Sequence, residues 1–110
     1  MAIPELDLAR IRRWCDGRVP EHLWVQVKVE ADAATTHVTI VEVRPPWNGV
    51  GDPTRSPIAR LRWNRAKGQW SLYWSDRNSA FHEYDLANPT PRVQRLLDVI
   101  DRDDTCIFWG

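Results

Sequence analysis

The chain has 110 residues, 15 of them basic and 15 acidic, for a formal charge of zero. That length holds one domain, residues 1–110, and the even charge gives no general affinity for nucleic acid or anionic lipid. Two cysteines without a Cys-x-x-Cys pair exclude a disulfide framework and structural zinc, and the sequence shows no leader and no membrane-length apolar run, so the expectation is a cytoplasmic protein with reduced thiols and no membrane partner.

The opening segment reads as a helix. Pro4 suits the first turn, and Glu5 and Asp7 fall where the helix dipole favours negative charge. Leu8, Ile11, Trp14 and Cys15 recur at helical spacing, and Gly17 is the expected stop. On this stripe Cys15 reads as a small buried hydrophobe rather than a nucleophile. From Leu23 the period changes to two. Leu23, Val25, Val27, Val29 and Ala31 alternate with Trp24, Gln26, Lys28 and Glu30, which predicts a half-buried strand with Trp24 and Lys28 on its solvent face. Asp32 to Thr36 turns the chain into a second strand, Val38 to Arg44. Its phase is double: Val38 and Ile40 put Glu42 inward, Val41 and Val43 put it outward, and a bulge reconciles the two.

Pro45 and Pro46 end that strand, because proline cannot feed a sheet ladder. A loop over residues 45–57 carries Trp47. Ile58 to Asn64 then places Ala59, Leu61 and Trp63 on one face and Arg60 and Arg62 on the other. After an Ala66-Lys67-Gly68 turn, Trp70, Leu72 and Trp74 alternate with Ser71, Tyr73 and Ser75. Asp76-Arg77-Asn78 turns again into a short strand, Ala80 to Tyr84. Thr90 as cap and Pro91 in the first turn open a last helix, with Val93, Leu96, Leu97 and Ile100 at i, i+3, i+4 and i+7. The tail, Cys106 to Gly110, has its cysteine fifth from the end and so misses the prenylation pattern. Its apolar residues are expected to alternate into the core or along a sheet edge as a clasp. The order predicts an α+β fold, a five-stranded, mainly antiparallel meander with an N-terminal and a C-terminal helix packed on it.

Trp24 and Trp47, on a solvent face and in a loop, are candidate binding residues. The polar sheet face adds Lys28, Arg60, Arg62 and Tyr73, with His82 and Tyr84 expected beside them. Aromatics interleaved with arginines suit stacked single-stranded bases. A second cluster, Asp76, Arg77, His82 and Tyr84 with Glu42, holds the imidazole and carboxylates that general acid–base chemistry uses near neutral pH. Sequence patterns of nucleophilic, phosphate-cradling and zinc-protease sites are absent, and His22, His37 and His82 are too scattered to suggest a metal. The expectation is a non-enzymatic binding or interaction module for a protein or small-molecule partner, without cofactor or metal. The alternatives are a small hydrolase or phosphoryl-handling enzyme and a single-stranded nucleic-acid binder.

The stretches IPELDLARIRRWCDGRVP, TIVEVRPPW, PIARLRW, LYWSDRN, FHEYD and DRDDTCIFWG together resemble a family of small actinobacterial proteins classed as a domain of unknown function. The resemblance covers the whole chain. It implies a bacterial, intracellular, self-standing domain and carries no activity, ligand or catalytic residue.

Overall fold

The structure is a computed structural model that describes residues 3–46 and 48–109. Helix α1 runs from Glu5 to Arg18 with Pro4 at its cap, burying Ile11 and Cys15. It passes through Gly17 without stopping. Pro20 ends it instead, by forcing Val19 into extended backbone at φ −126°, ψ 129°.

The first strand differs from its expected span. Strand β1 is Lys28–Ala33, and Glu21–Leu23 forms a 3-10 turn. Gln26 and Val27 both donate backbone N–H groups to the Leu23 carbonyl, at 2.9 and 3.0 Å. The cause lies in the partner strand: Lys28 pairs with Val43, and Pro45 and Pro46 soon follow with no N–H to offer residues 23–26. Val25, expected inward, is therefore 78% exposed.

The remaining strands are β2 (His37–Arg44), β3 (Thr54–Asn64), β4 (Gln69–Ser75) and β5 (Phe81–Glu83), and helix α2 spans Val93–Arg102. They form one antiparallel sheet in the order β1-β2-β3-β4-β5. Because β3 begins at Thr54, the loop expected over 45–57 is shorter, and its last four residues pair with Val41 to Arg44.

The double phase of β2 is resolved by its neighbour. Between Ile40 and Val41 the register skips Ile58 of β3, so the extra residue sits there while β2 keeps one phase. Val38, Ile40 and Glu42 share a face with Val29 and Ala31 of β1. That face carries the core. Cys15 and Ile11 of α1 meet Val93, Leu96, Leu97 and Ile100 of α2 over Val38, Ile40, Leu61 and Leu72. Both helices therefore lie on one side of the sheet.

Fully buried Trp70 donates its indole N–H to Asp7 at 2.8 Å, which ties β4 to the start of α1. Trp14 and Arg18 of α1 both donate to Asp101 of α2, at 2.9 and 2.6 Å. Arg92 takes the cap position expected for Thr90, whose hydroxyl accepts the Arg92 N–H at 3.1 Å while its backbone exchanges hydrogen bonds with Trp70. Cys15 is buried as expected: burial, then the charges of Asp16 and Glu30, push its thiol up to about 12.

The tail closes on the core by a turn rather than by strand alternation. Asp103 adopts left-handed backbone at φ 46°, and its carboxylate accepts the N–H groups of Phe108 and Trp109 at 3.0 and 2.8 Å. Trp109 donates its indole N–H to the Ile100 carbonyl, and the Arg18 guanidinium lies 4.6 Å over its ring. Phe108, 5% exposed, packs on Tyr84 with centroids 5.1 Å apart, while Cys106 stays exposed. Phe108→Ala is expected to lower unfolding free energy by about 3–5 kcal/mol. Asp103→Ala is expected to cost roughly 1–3 kcal/mol by stranding two amide donors, and Asp103→Asn less, since it keeps one acceptor. Urea denaturation of the three variants checks the order.

Candidate functional site

The face of the sheet turned away from the helices is set by the core-facing residues. With Ala59 and Leu61 buried against the helices, Arg60 and Arg62 of β3 must project to the other side. Register completes the grid: β2 brings His37 opposite Arg62 and Thr39 opposite Arg60, and β4 brings Ser71 and Tyr73 to the same two arginines. Beyond β4, Glu83 of β5 stands opposite Tyr73, and Phe81 opposite Ser75.

This corrects two sequence-derived placements. Phe81 and Glu83, not His82 and Tyr84, belong to the polar face. His82 pairs with Trp74 on the helix side, where the two rings stack at 4.6 Å. Tyr84 is buried and its hydroxyl hydrogen-bonds with Thr105 at 3.1 Å.

Arg60 is held in place from two sides. Its Nε donates to Thr39 Oγ1 at 3.1 Å, and its guanidinium crosses β4 to lie 3.9 Å over the Phe81 ring. Two contiguous concavities lie along the face, and Arg60 lines the smaller. One, of about 390 Å3, is lined by Thr36, His37, Arg60, Arg62, Tyr73 and Phe81. The other, of about 520 Å3, shares Thr36, Arg62 and Tyr73 with the first and adds Arg65, Lys67, Gln69, Ser71 and Glu83.

Arg60, Arg62, Arg65 and Lys67 thus face a single carboxylate, Glu83. Among the described residues none of the four forms an ion pair. Arg55 of β3 shows the contrast. It reaches across β2 to Glu30 at 3.0 Å and to both Asp32 oxygens at 2.7 Å, and Val41, 4% exposed, lies beneath that span. Burial and charge crowding act together on titration here. Burial, then Arg60 and Arg62, hold the His37 imidazole below its ordinary value, and burial followed by Arg62 does the same to the Arg60 guanidinium.

The other candidates stand apart from this face. Trp24 sits in the turn before β1, its indole N–H donating to Val19 at 2.8 Å and the Lys28 ammonium 4.8 Å over its ring. Trp47 lies outside the described residues. Asp76 and His82 do meet, at 2.8 Å, and that bond chiefly lowers the Asp76 carboxyl from its usual range. The same carboxylate also accepts the N–H groups of Asn78 and Ala80, so it organises the turn between β4 and β5. Arg77 is exposed in that turn, and Glu42 is bound to Arg44 at 2.7 Å. The pair could orient an imidazole as a base, with Tyr84 and Glu42 committed elsewhere. Among the described residues no group of three or more His, Cys, Asp or Glu side chains is placed to hold a metal, and no helix is long and apolar enough to cross a membrane.

Sequence reasoning placed Arg60, Arg62 and Tyr73 on this face and did not place His37, Arg65 and Lys67 beside them. The signal was present: between Asp52 and Asp76 lie Arg55, Arg60, Arg62, Arg65 and Lys67 and no acidic residue. Net charge averages that stretch away.

A family model, Domain of unknown function (DUF3024), matches residues 2–110, and the chain belongs to that family. No curated protein and no solved structure matches it.

The shifted His37 gives a pH dependence with a definite sign. Its folded-state value lies below the ordinary 6.5, so the unfolded chain binds the extra proton in between. The neutral ring's contribution to stability is full above pH 6.5 and is lost as pH falls toward the folded value. His37→Gln should therefore flatten the decline of Tm below pH 6.5, measured by thermal melts across pH.

Proposed function

We propose that this member of the DUF3024 family is a non-enzymatic binding module that takes an anionic ligand on the helix-free face of its sheet. The observation that carries the reading is the row Arg60, Arg62, Arg65 and Lys67, without ion-pair partners among the described residues, around two contiguous concavities. Cations on a solvated sheet normally alternate with carboxylates, as Arg55 does with Glu30 and Asp32 on this same face. Leaving four together raises their mutual repulsion, which an anion relieves. The volumes, about 390 and 520 Å3, fall in the range of ligand clefts. Neither Asp76 nor His82 lines either concavity, so the reading assigns no bond-making step. Trp24, which lines neither concavity, has no part in it.

The test is retention on a phosphocellulose column, eluted with salt. Arg60→Gln/Arg62→Gln should elute at clearly lower salt than the parent chain. Arg12→Gln/Arg13→Gln, an equal change of net charge at exposed positions of α1, should elute close to the parent. Equal shifts in the two double variants would leave only non-specific charge and overturn the reading.

A further inference from the structure

Resting on that reading, we infer that the occupant is a single strand of nucleic acid, its phosphodiester backbone along Arg60, Arg62, Arg65 and Lys67 and a base stacked on Tyr73. The first argument is extent. Arg60 and Arg62 stand two residues apart on an extended strand, about 7 Å, and Arg65 and Lys67 continue the row past the strand's end. A lone phosphate uses one such step, whereas a polymer uses the row.

The second argument is the chemistry beside the row. Gln69 and Ser71 line the larger concavity, and each both donates and accepts hydrogen bonds. An acidic peptide side chain presents acceptors only, while the unpaired edge of a base presents donors and acceptors together. Tyr73 belongs to both concavities, so a ring stacked on it lies within reach of Gln69 and Ser71 on one side and the arginines on the other. In a duplex the bases are already stacked and paired, which would leave Tyr73, Gln69 and Ser71 without partners. Arg60, fixed by Thr39 and Phe81, presents its terminal nitrogens in a set orientation, as planar recognition of a phosphate requires.

His37 reports where the phosphate sits. Around it stand Arg62 opposite on β3, Arg60 diagonally beyond, Tyr73 across on β4, Asp32 of β1 occupied by Arg55, and Glu83 of β5 bordering the larger concavity. Burial first and the two arginines second hold the ring below its ordinary value, and a phosphodiester near Arg60 and Arg62 offsets the arginines' share, so the titration midpoint is expected to rise when the strand binds. The diester itself does not titrate near neutral pH.

The experiment measures fluorescence anisotropy of a labelled short oligouridylate with the full chain at several salt concentrations. Four phosphate contacts predict a log–log salt slope of about −3, or a loss of about 50-fold between roughly 50 and 200 mM salt. Arg60→Gln/Arg62→Gln should halve the slope, to about −1.4. Tyr73→Leu should weaken binding at least about 5-fold with the slope unchanged. Proton NMR of the His37 ring should show its midpoint moving upward on adding the strand. A duplex or polyglutamate binding as tightly as the single strand overturns the nucleic-acid assignment. So does Tyr73→Leu without effect, or an unmoved His37 midpoint. In each of those cases a distinct elution of Arg60→Gln/Arg62→Gln from phosphocellulose would still leave the anion-binding reading standing.

Discussion

Two helices of 14 and 10 residues can cover one face of a five-stranded sheet and no more. Everything else in this molecule follows from which face they cover. The covered side receives Val29, Val38, Ile40, Ala59, Leu61, Trp70 and Leu72, and the alternation of strands then obliges Thr39, Arg60, Arg62 and Tyr73 to face the other way. The uncovered side has no second layer and must protect its own backbone with side chains. On its β1 half it does so by an ion-pair strap, Arg55 to Glu30 and Asp32 over Val41. On its β4 half Arg60 lies down on Phe81. The same physical need has two solutions on one surface, and only the first neutralises its charge.

The tryptophans show how the covered side is held. Burying an indole removes a large apolar area from water, and its N–H then needs a partner. Trp70 reaches Asp7, Trp14 reaches Asp101, and Trp109 reaches the Ile100 carbonyl. The first bond links α1 to the sheet, the second links the helices, and the third fixes the tail to α2. Each joins two elements, so these polar ends set geometry where the apolar contacts alone would tolerate sliding.

Elements with unopposed periodicity were legible in the sequence. The α2 stripe of Val93, Leu96, Leu97 and Ile100 is buried as spaced, and the alternations of β3 and β4 place Leu61 and Leu72 inward. The misreadings in the sheet share a cause: each depended on a partner elsewhere in the chain. Residues 23–27 alternate like a strand but lack a ladder, since their neighbour ends in prolines. The phase of β2 could not be settled within β2, because the extra residue is Ile58 in β3. His82 fell on the helix side because the short β5 takes its phase from Trp74. At the site, Arg60, Arg62 and Tyr73 came from alternation alone, whereas His37 entered only through register across β2 and β3.

Why should a sheet keep four cations together when carboxylates elsewhere in the chain balance them in number? Burial first, and the neighbouring arginines second, hold both Arg60 and His37 below their ordinary values, so their charges add to the cost of this surface. The cost is local and is not repeated by Arg55, 18 or 44, each of which has a carboxylate within 3.0 Å. Exposed arginines elsewhere, such as Arg12, Arg13, Arg77 and Arg95, also lack ion pairs, so what sets this row apart is that four cations gather around concavities whose described lining holds one carboxylate, Glu83, where a ligand's charge would offset their repulsion. Zero net charge sharpens that argument. With no global field to draw polyanions in, the attraction an anion would feel is confined to within about a Debye length of the Arg60–Lys67 row, so on the proposed reading the geometry of that row, rather than overall charge, would decide what binds.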